Sequence, residues 1–231
     1  MLRVRYGKDR GHAAHGWLDT RHTFSFDRYM DPEHMGFRAL RVVNEDRIAP
    51  SKGFGFHGHR DMEILTYILE GELEHKDSLG ARGILRSGEV QYMSAGTGVR
   101  HSETNPSATE VCHLLQIWML PNRMGLTPQY GQKKFSIQDQ PDKLHRIASQ
   151  EGSDGSFLVH SDAELYAAKL SANGMLEWPL RLGHGWLQVA RGALVANEMA
   201  LQAGDGLAIS DEKSVRLATD TGAEVLLFDL A

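Results

Sequence analysis

Two short segments of this 231-residue chain carry side chains whose types and spacing could hold a metal ion. The first, Gly53-Phe-Gly-Phe-His57-Gly-His59, has two histidines one residue apart. The second, Gly96-Thr-Gly-Val-Arg-His101-Ser-Glu103, has a histidine and a glutamate at the same spacing. Side chains alternate between faces along a β-strand, so His57 and His59 share a face, and so do His101 and Glu103. Two such strands laid side by side would converge three imidazoles and one carboxylate on one point. In a chain with 12 histidines roughly 0.6 His-x-His pairs arise by chance, so the first spacing alone is weak. The combination is stronger, because both dyads follow Gly-rich turns and flank the strand-like run Ile64-Leu-Thr-Tyr-Ile-Leu69. A nitrogen and oxygen donor set without thiolate suits Fe(II), Mn, Ni, Cu or Zn at a reactive centre with open positions rather than a closed structural zinc site.

The neighbours of the dyads divide between functional and plain structural roles. Glu63, four residues past His59, falls on the same face of a regular strand. It is a ligand or a hydrogen-bond partner for one of the imidazoles, read as the second because Glu103 already completes the set, against the alternative of an ordinary strand carboxylate. His75, within Glu74-His-Lys-Asp77, and His113 are either pocket residues or turn and core positions. Phe54, Phe56, Met93 and Trp118 could wall a pocket for a flat substrate or simply fill a core. Asn105, just before Pro106, reads as a turn residue.

The elements that must position these groups are strands. Short apolar runs punctuated by Gly, Asp, Asn and Ser predict strands over Phe37–Val43, Ile64–Leu69, Val90–Met93, Cys112–Met119, Phe157–His160, Leu187–Ala190, Gly206–Ile209 and Val225–Asp229. Residues Trp17–Asn44 read as strand, turn and strand leading to the first dyad. Helical pattern is sparse, with Asp162–Leu170 a short ambiguous element. The fold class is therefore all-β, a barrel or sandwich. A faint internal repeat aligns Tyr67-Ile-Leu-Glu-Gly71-Glu-Leu73 with Gln188-Val-Ala-Arg-Gly192-Ala-Leu194. It also aligns Leu85-Arg-Ser-Gly88-Glu89 with Leu201-Gln-Ala-Gly204-Asp205. Two β modules follow, with a boundary in the polar stretch Lys133–Lys143, giving domains 1–135 and 136–231. Carried across the repeat, His57 and His59 fall opposite Trp178 and Leu180, and His101 and Glu103 opposite Leu217 and Thr219. None of these four is a good ligand, so the second module is expected to hold no metal.

Composition sets outer bounds. Apolar content of 41% and charged content of 24% are ordinary for a globular protein. A net charge of −5 offers no basic footprint for direct binding of nucleic acid. The single cysteine, Cys112, excludes an intramolecular disulfide and fits a reducing compartment. Within Val111-Cys-His-Leu-Leu-Gln-Ile-Trp118 it reads as a small buried residue. No stretch is long enough to span a bilayer and the N-terminus lacks an apolar signal region, so a cytoplasmic location without membrane contact is the expectation.

The order of motifs resembles that of the pirin family, and more closely its bacterial quercetin 2,3-dioxygenase-like members within the cupin superfamily. The residues that carry the resemblance are Thr23-Phe-Ser-Phe26, Asp31-Pro32, Met35-Gly-Phe37, Leu40-Arg-Val42, Gly53-Phe-Gly-Phe-His57-Gly-His59, Glu63-Ile64, Leu69-Glu-Gly71, Asp77-Ser78, Ala95-Gly-Thr-Gly98 and His101-Ser-Glu103. The second half, with Leu201–Glu212 and the ending Val225-Leu-Leu-Phe-Asp-Leu230, resembles the family's C-terminal cupin. The resemblance implies a bicupin with one metal, held in the N-terminal domain by His57, His59, His101 and Glu103. It implies Fe(II) as the native metal, with Zn, Mn, Ni, Co or Cu as substitutes. It further implies ring opening of a quercetin-type flavonol by dioxygen. One departure is Gly58, where the family often has proline between the two histidines. In this reading Glu103 is also the catalytic group, accepting the proton of the flavonol hydroxyl. The alternative reading is a metal-dependent redox sensor or protein-binding regulator of the pirin type. In either case the chain is expected to act as a monomer.

Overall fold

Runs rich in β-branched and aromatic residues, bounded by Gly, Asn and Asp, form strands along the whole chain, and helix is limited to two single turns at Gly7–Asp9 and Ser153–Gly155. The computed structural model describes all residues, Met1–Ala231. In chain order the first twelve strands are β1 (Leu2–Arg5), β2 (Gly11–Ala14), β3 (Leu18–His22), β4 (Leu40–Ile48), β5 (Gly53–His59), β6 (Glu63–Glu70), β7 (Glu72–Asp77), β8 (Arg82–Arg86), β9 (Glu89–Ser94), β10 (Val99–Thr104), β11 (Cys112–Met119) and β12 (Gln129–Lys134). The rest are β13 (His145–Ser149), β14 (Phe157–Leu158), β15 (Ala163–Leu170), β16 (Met175–Pro179), β17 (His184–Ala196), β18 (Met199–Gln202), β19 (Gly206–Ser210), β20 (Ser214–Ala218) and β21 (Ala223–Leu230). The architecture is all-β and bicupin, as the sequence predicts.

Two compact units emerge, one made of Gly11–Gly36 and Leu40–Lys134, the other of Phe135–Ala231 with Met1–Arg10 and Phe37–Ala39. The first ten residues, expected in the N-terminal domain, thus belong with the C-terminal one. The reason is strand pairing: β1 runs antiparallel along β19, Leu2 opposite Ile209 and Arg5 opposite Gly206, and covers an edge that would otherwise present unpaired backbone groups. The predicted strand at Phe37–Val43 is likewise divided. It begins only at Leu40, and Phe37 packs against Trp186 at 5.9 Å in the C-terminal unit. The ambiguous segment at 162–170 is the strand β15, paired with both β13 and β21. Of Phe157–His160 only Phe157–Leu158 is strand.

In the N-terminal unit a seven-stranded sheet, ordered β12-β9-β6-β11-β4-β3-β2, accompanies a four-stranded one, ordered β5-β10-β7-β8. The larger sheet has a layered inner face. Ile68, Leu114, Ile48 and Leu18 form one apolar cluster with Leu73 and Leu85, and Ile64 and Met93 join Val99 in another. Between these layers the strand registers bring five polar residues into one row: His22 opposite Asn44, Asn44 opposite Gln116, Gln116 opposite Thr66, and Thr66 opposite Gln91. Burying a polar row is costly unless each member finds a partner, so the row must be serving something.

The C-terminal unit packs its own core from Trp178, Leu187, Leu207, Leu217 and Val225, among others. Its glycine turns copy those of the first unit: φ is 74° at both Gly71 and Gly192, and 84° and 91° at Gly88 and Gly204. Only glycine adopts these angles without strain, which is why the repeat survives at these positions. Pairing of β16 with β20 parallels that of β5 with β10. Trp178 and Leu217, from the positions aligned with His57 and His101, are both buried in that core.

Candidate metal centre

Three of the four dyad residues, His57, His59 and His101, meet as their spacing predicts. Strand β10 pairs with β5 so that His101 lies directly opposite His57, with a bulge between His101 and Glu103. The imidazoles of His57, His59 and His101 have ring centroids 4.5–4.9 Å apart. One ligand nitrogen from each lies within 4.8 Å of the others.

Hydrogen bonding already selects which nitrogens are available. His57 directs Nδ1 to the Gly55 carbonyl at 2.8 Å; that nitrogen must be the donor, which leaves Nε2 as a lone-pair site. The Nε2 atoms of His59 and His101 are buried and have no hydrogen-bond partner. One imidazole nitrogen with a free lone pair and two more orphaned in the interior fit a bound cation. Burial first, and then neighbouring imidazoles, hold His59 down at about 4 and His101 at about 3. The rings are therefore neutral at physiological pH, the form that binds a metal.

Glu103 is buried beneath this cluster, and here the polar row finds its purpose. Gln91 Nε2 donates to Glu103 Oε1 and Gln116 Nε2 to Oε2, both at 3.3 Å. The Thr66 hydroxyl stands 2.8 Å from Gln116 Oε1 and 3.3 Å from Glu103 Oε1. At the far end of the row the His22 Nδ1 donates to Asn44 Oδ1 at 2.9 Å. Within the spacing that unites the three imidazoles, Glu103 groups instead with His101 and His75.

Glu63 departs from its expected place. Strand β5 ends at His59, and the turn through Asp61, at φ 48°, puts Glu63 at the start of β6. It is fully buried there and accepts hydrogen bonds from Tyr92 at 2.5 Å and Ser94 at 2.6 Å. His113 pairs with Glu45 at 2.9 Å. Asn105 is a buried turn residue that donates to the carbonyls of Ile48 and Glu110. Cys112 is buried, and its thiol is pushed up to about 12 by burial and then by Glu103 and Asp46.

Beside the centre opens a cavity of about 530 Å³, lined in part by His57, His59, Glu103, Phe54 and Trp118. This is the size range of small-molecule sites. Trp118 meets His59 edge-on at 4.9 Å and Phe26 at 5.3 Å. Of the four apolar residues weighed for the wall, Phe54 and Trp118 line the cavity, Phe56 is exposed, and Met93 is core. Sequence reasoning overlooked Trp17, Phe26 and the polar wall of Thr20, His22, Asn44 and Asp46. The alternation Leu18-x-Thr20-x-His22 and Asn44-x-Asp46 marked them as facing one way, but no dyad drew attention to them.

Comparison with known proteins finds relatives along the whole chain. A family model described as Pirin matches residues 3–119, and one described as Quercetinase C-terminal cupin domain matches 146–230. The chain is 48% identical to a quercetin 2,3-dioxygenase of Escherichia coli K12, over all of this chain and 99% of that one. The crystal structure of YhhW from Escherichia coli superposes with a TM-score of 0.96 at 48% identity, covering 100% of this chain and 98% of that one. A second, of bacterial pirin YhhW in complex with nickel(II), gives 0.94 at 48% identity with 100% and 99% covered.

Proposed function

The protein belongs to the pirin family, and from that premise we propose that it is a dioxygenase that opens the ring of a quercetin-type flavonol. The observation that carries this reading is the convergence of three imidazoles, two with orphaned Nε2 atoms, beside an aromatic-lined cavity. The name of the 48%-identical relative and the nickel(II) in a solved relative support it.

In this proposal His57, His59 and His101 hold one divalent metal through Nε2, with Glu103 as the fourth ligand, and Fe(II) is the native ion. When bound, that ion supplies a Lewis acid that acidifies an enolic hydroxyl and a site for dioxygen chemistry. The chain's own contribution is positional. Phe54, Phe26 and Trp118 offer faces and edges for flat rings and exclude water. Glu103 accepts the substrate's hydroxyl proton on its carboxylate. Thr66 and Gln91 contact Oε1 and only Gln116 contacts Oε2, so Oε2 keeps a lone pair.

The test is anaerobic reconstitution with Fe(II), then oxygen consumption against a panel of flavonols, for the wild type and His57→Ala. Metal retention and uptake are expected in the first and lost in the second. Unchanged oxygen uptake in His57→Ala would sink the proposal, and no uptake with any flavonol would move the reading to a metal-dependent regulator.

A further inference from the structure

We infer that Asp77 and His75 form a relay that fixes the tautomer of His101 and so aims its Nε2 lone pair into the centre. The inference rests on the proposed role of His101 as a ligand, but its first observable does not. Strand β7 pairs with β10 so that Asp77 lies opposite His101 and His75 opposite Glu103. The His-x-Asp dyad of one strand thus faces the His-x-Glu dyad of the other.

The side chains make a continuous line. His75 Nε2 lies 3.2 Å from Asp77 Oδ2, and His75 Nδ1 lies 3.4 Å from His101 Nδ1. All three groups are essentially sealed from solvent, with His75 and His101 at 0% exposure. Asp77 also accepts from the backbone N–H groups of Leu79 and Ala81 at 2.9 and 3.0 Å. Burial alone would raise this carboxyl, but the His75 and backbone hydrogen bonds hold it below the usual carboxylate range. The ring of Tyr130 stacks on the His75 imidazole, 4.5 Å away and tilted by 21°, and restricts its rotation.

The inferred relay holds one ring proton on each imidazole. A carboxylate only accepts, so His75 carries its hydrogen on Nε2. In a neutral ring this leaves His75 Nδ1 as an acceptor. The facing nitrogen, His101 Nδ1, must be the donor. His101 Nε2 is consequently bare, and it is this atom that is buried without a partner. Without the relay a free imidazole favours neither nitrogen strongly, and the Nε2–H tautomer cannot bind a metal at that nitrogen. His75 is in this account a positioning residue, and its grouping with His101 and Glu103 reflects the relay, not a second ion.

The experiment is long-range ¹H–¹⁵N correlation spectroscopy of the metal-free full chain, with Zn(II) titration of the same samples. In the wild type, His101 is expected as the Nδ1–H tautomer and His75 as Nε2–H. His75→Phe keeps an aromatic ring but removes the acceptor. It should mix the His101 tautomers and weaken Zn(II) binding about 10- to 100-fold, the usual cost of losing an outer hydrogen-bond partner. His75→Asn, whose Oδ1 falls near the position of Nδ1, should restore both. Nε2–H at His101 in the wild type overturns the inference without any variant. So does His75→Phe with unchanged tautomer and affinity, or Zn(II) bound directly to His75. A wild type with the assigned tautomers that binds no Zn(II) leaves the relay standing and defeats the proposed function instead.

Discussion

Asp46 is the titratable group whose burial has the clearest consequence. It lines the cavity with 5% of its surface exposed, and its Oδ1 accepts a hydrogen bond from the Thr20 hydroxyl. Burial raises its carboxyl from 3.8 to about 7; the Thr20 bond opposes this, and Glu103 and Glu45 add to it. The neutral form is therefore the one the fold accepts. Below 3.8, folded and unfolded chains both hold the proton and the fold keeps its full stability. As pH rises from there the unfolded chain ionises first, and stability falls by 1.36 kcal/mol per pH unit, about 4 kcal/mol in all, until the folded group ionises too near 7. Asp46→Asn retains an oxygen to accept from Thr20 and cannot ionise, so it lacks this slope. Urea titrations in the presence of a chelator, at about pH 5 and about pH 8, measure the difference. The variant's advantage over wild type is expected to grow by about 3 kcal/mol between those two values. Parallel pH dependence of the two proteins would refute the reasoning, because it would mean that water or rearrangement solvates the carboxylate.

Two glycines of the same strand should behave oppositely. A Cβ on Gly53 would meet the Glu103 carbonyl oxygen at 2.2 Å and Thr104 Cα at 2.5 Å, backbone that cannot yield. Gly53→Ala should therefore cost at least about 1–3 kcal/mol by denaturant titration and weaken metal binding by displacing β10. Gly58, between the two histidines, has only Arg100 Cγ at 3.7 Å and the Val99 oxygen at 3.9 Å within reach. Gly58→Ala should gain about 0.4–1 kcal/mol by restricting the unfolded chain, with unchanged metal stoichiometry. Cys112, buried and with its thiol pushed up to about 12, should resist a thiol reagent near neutral pH until the chain unfolds. Rapid labelling of the native protein would contradict its place in the core.

The meeting of His57, His59 and His101 was legible in the sequence because a strand has a side-chain period of two, and a dyad at that period declares a shared face before any partner is known. The turn glycines were legible for a similar reason: Gly71, Gly88, Gly192 and Gly204 satisfy a local backbone angle. The all-β class followed from the same local periodicities. What the sequence hid depends on pairing between distant strands. His75 and Asp77 form a dyad of the same kind as the others, yet looked like a turn, because only the register of β7 against β10 brings them to His101. The row from His22 to Gln91 is spread over five strands, and Glu63 left its expected face because one turn after His59 broke the alternation. The first ten residues lie with the C-terminal unit because β1 found an open edge some two hundred residues away. Alternation and turn angles are properties of neighbours in the chain, and the sequence by itself determined them. Register, layer and proton position are properties of strands that meet only on folding, and the tertiary structure alone decided those.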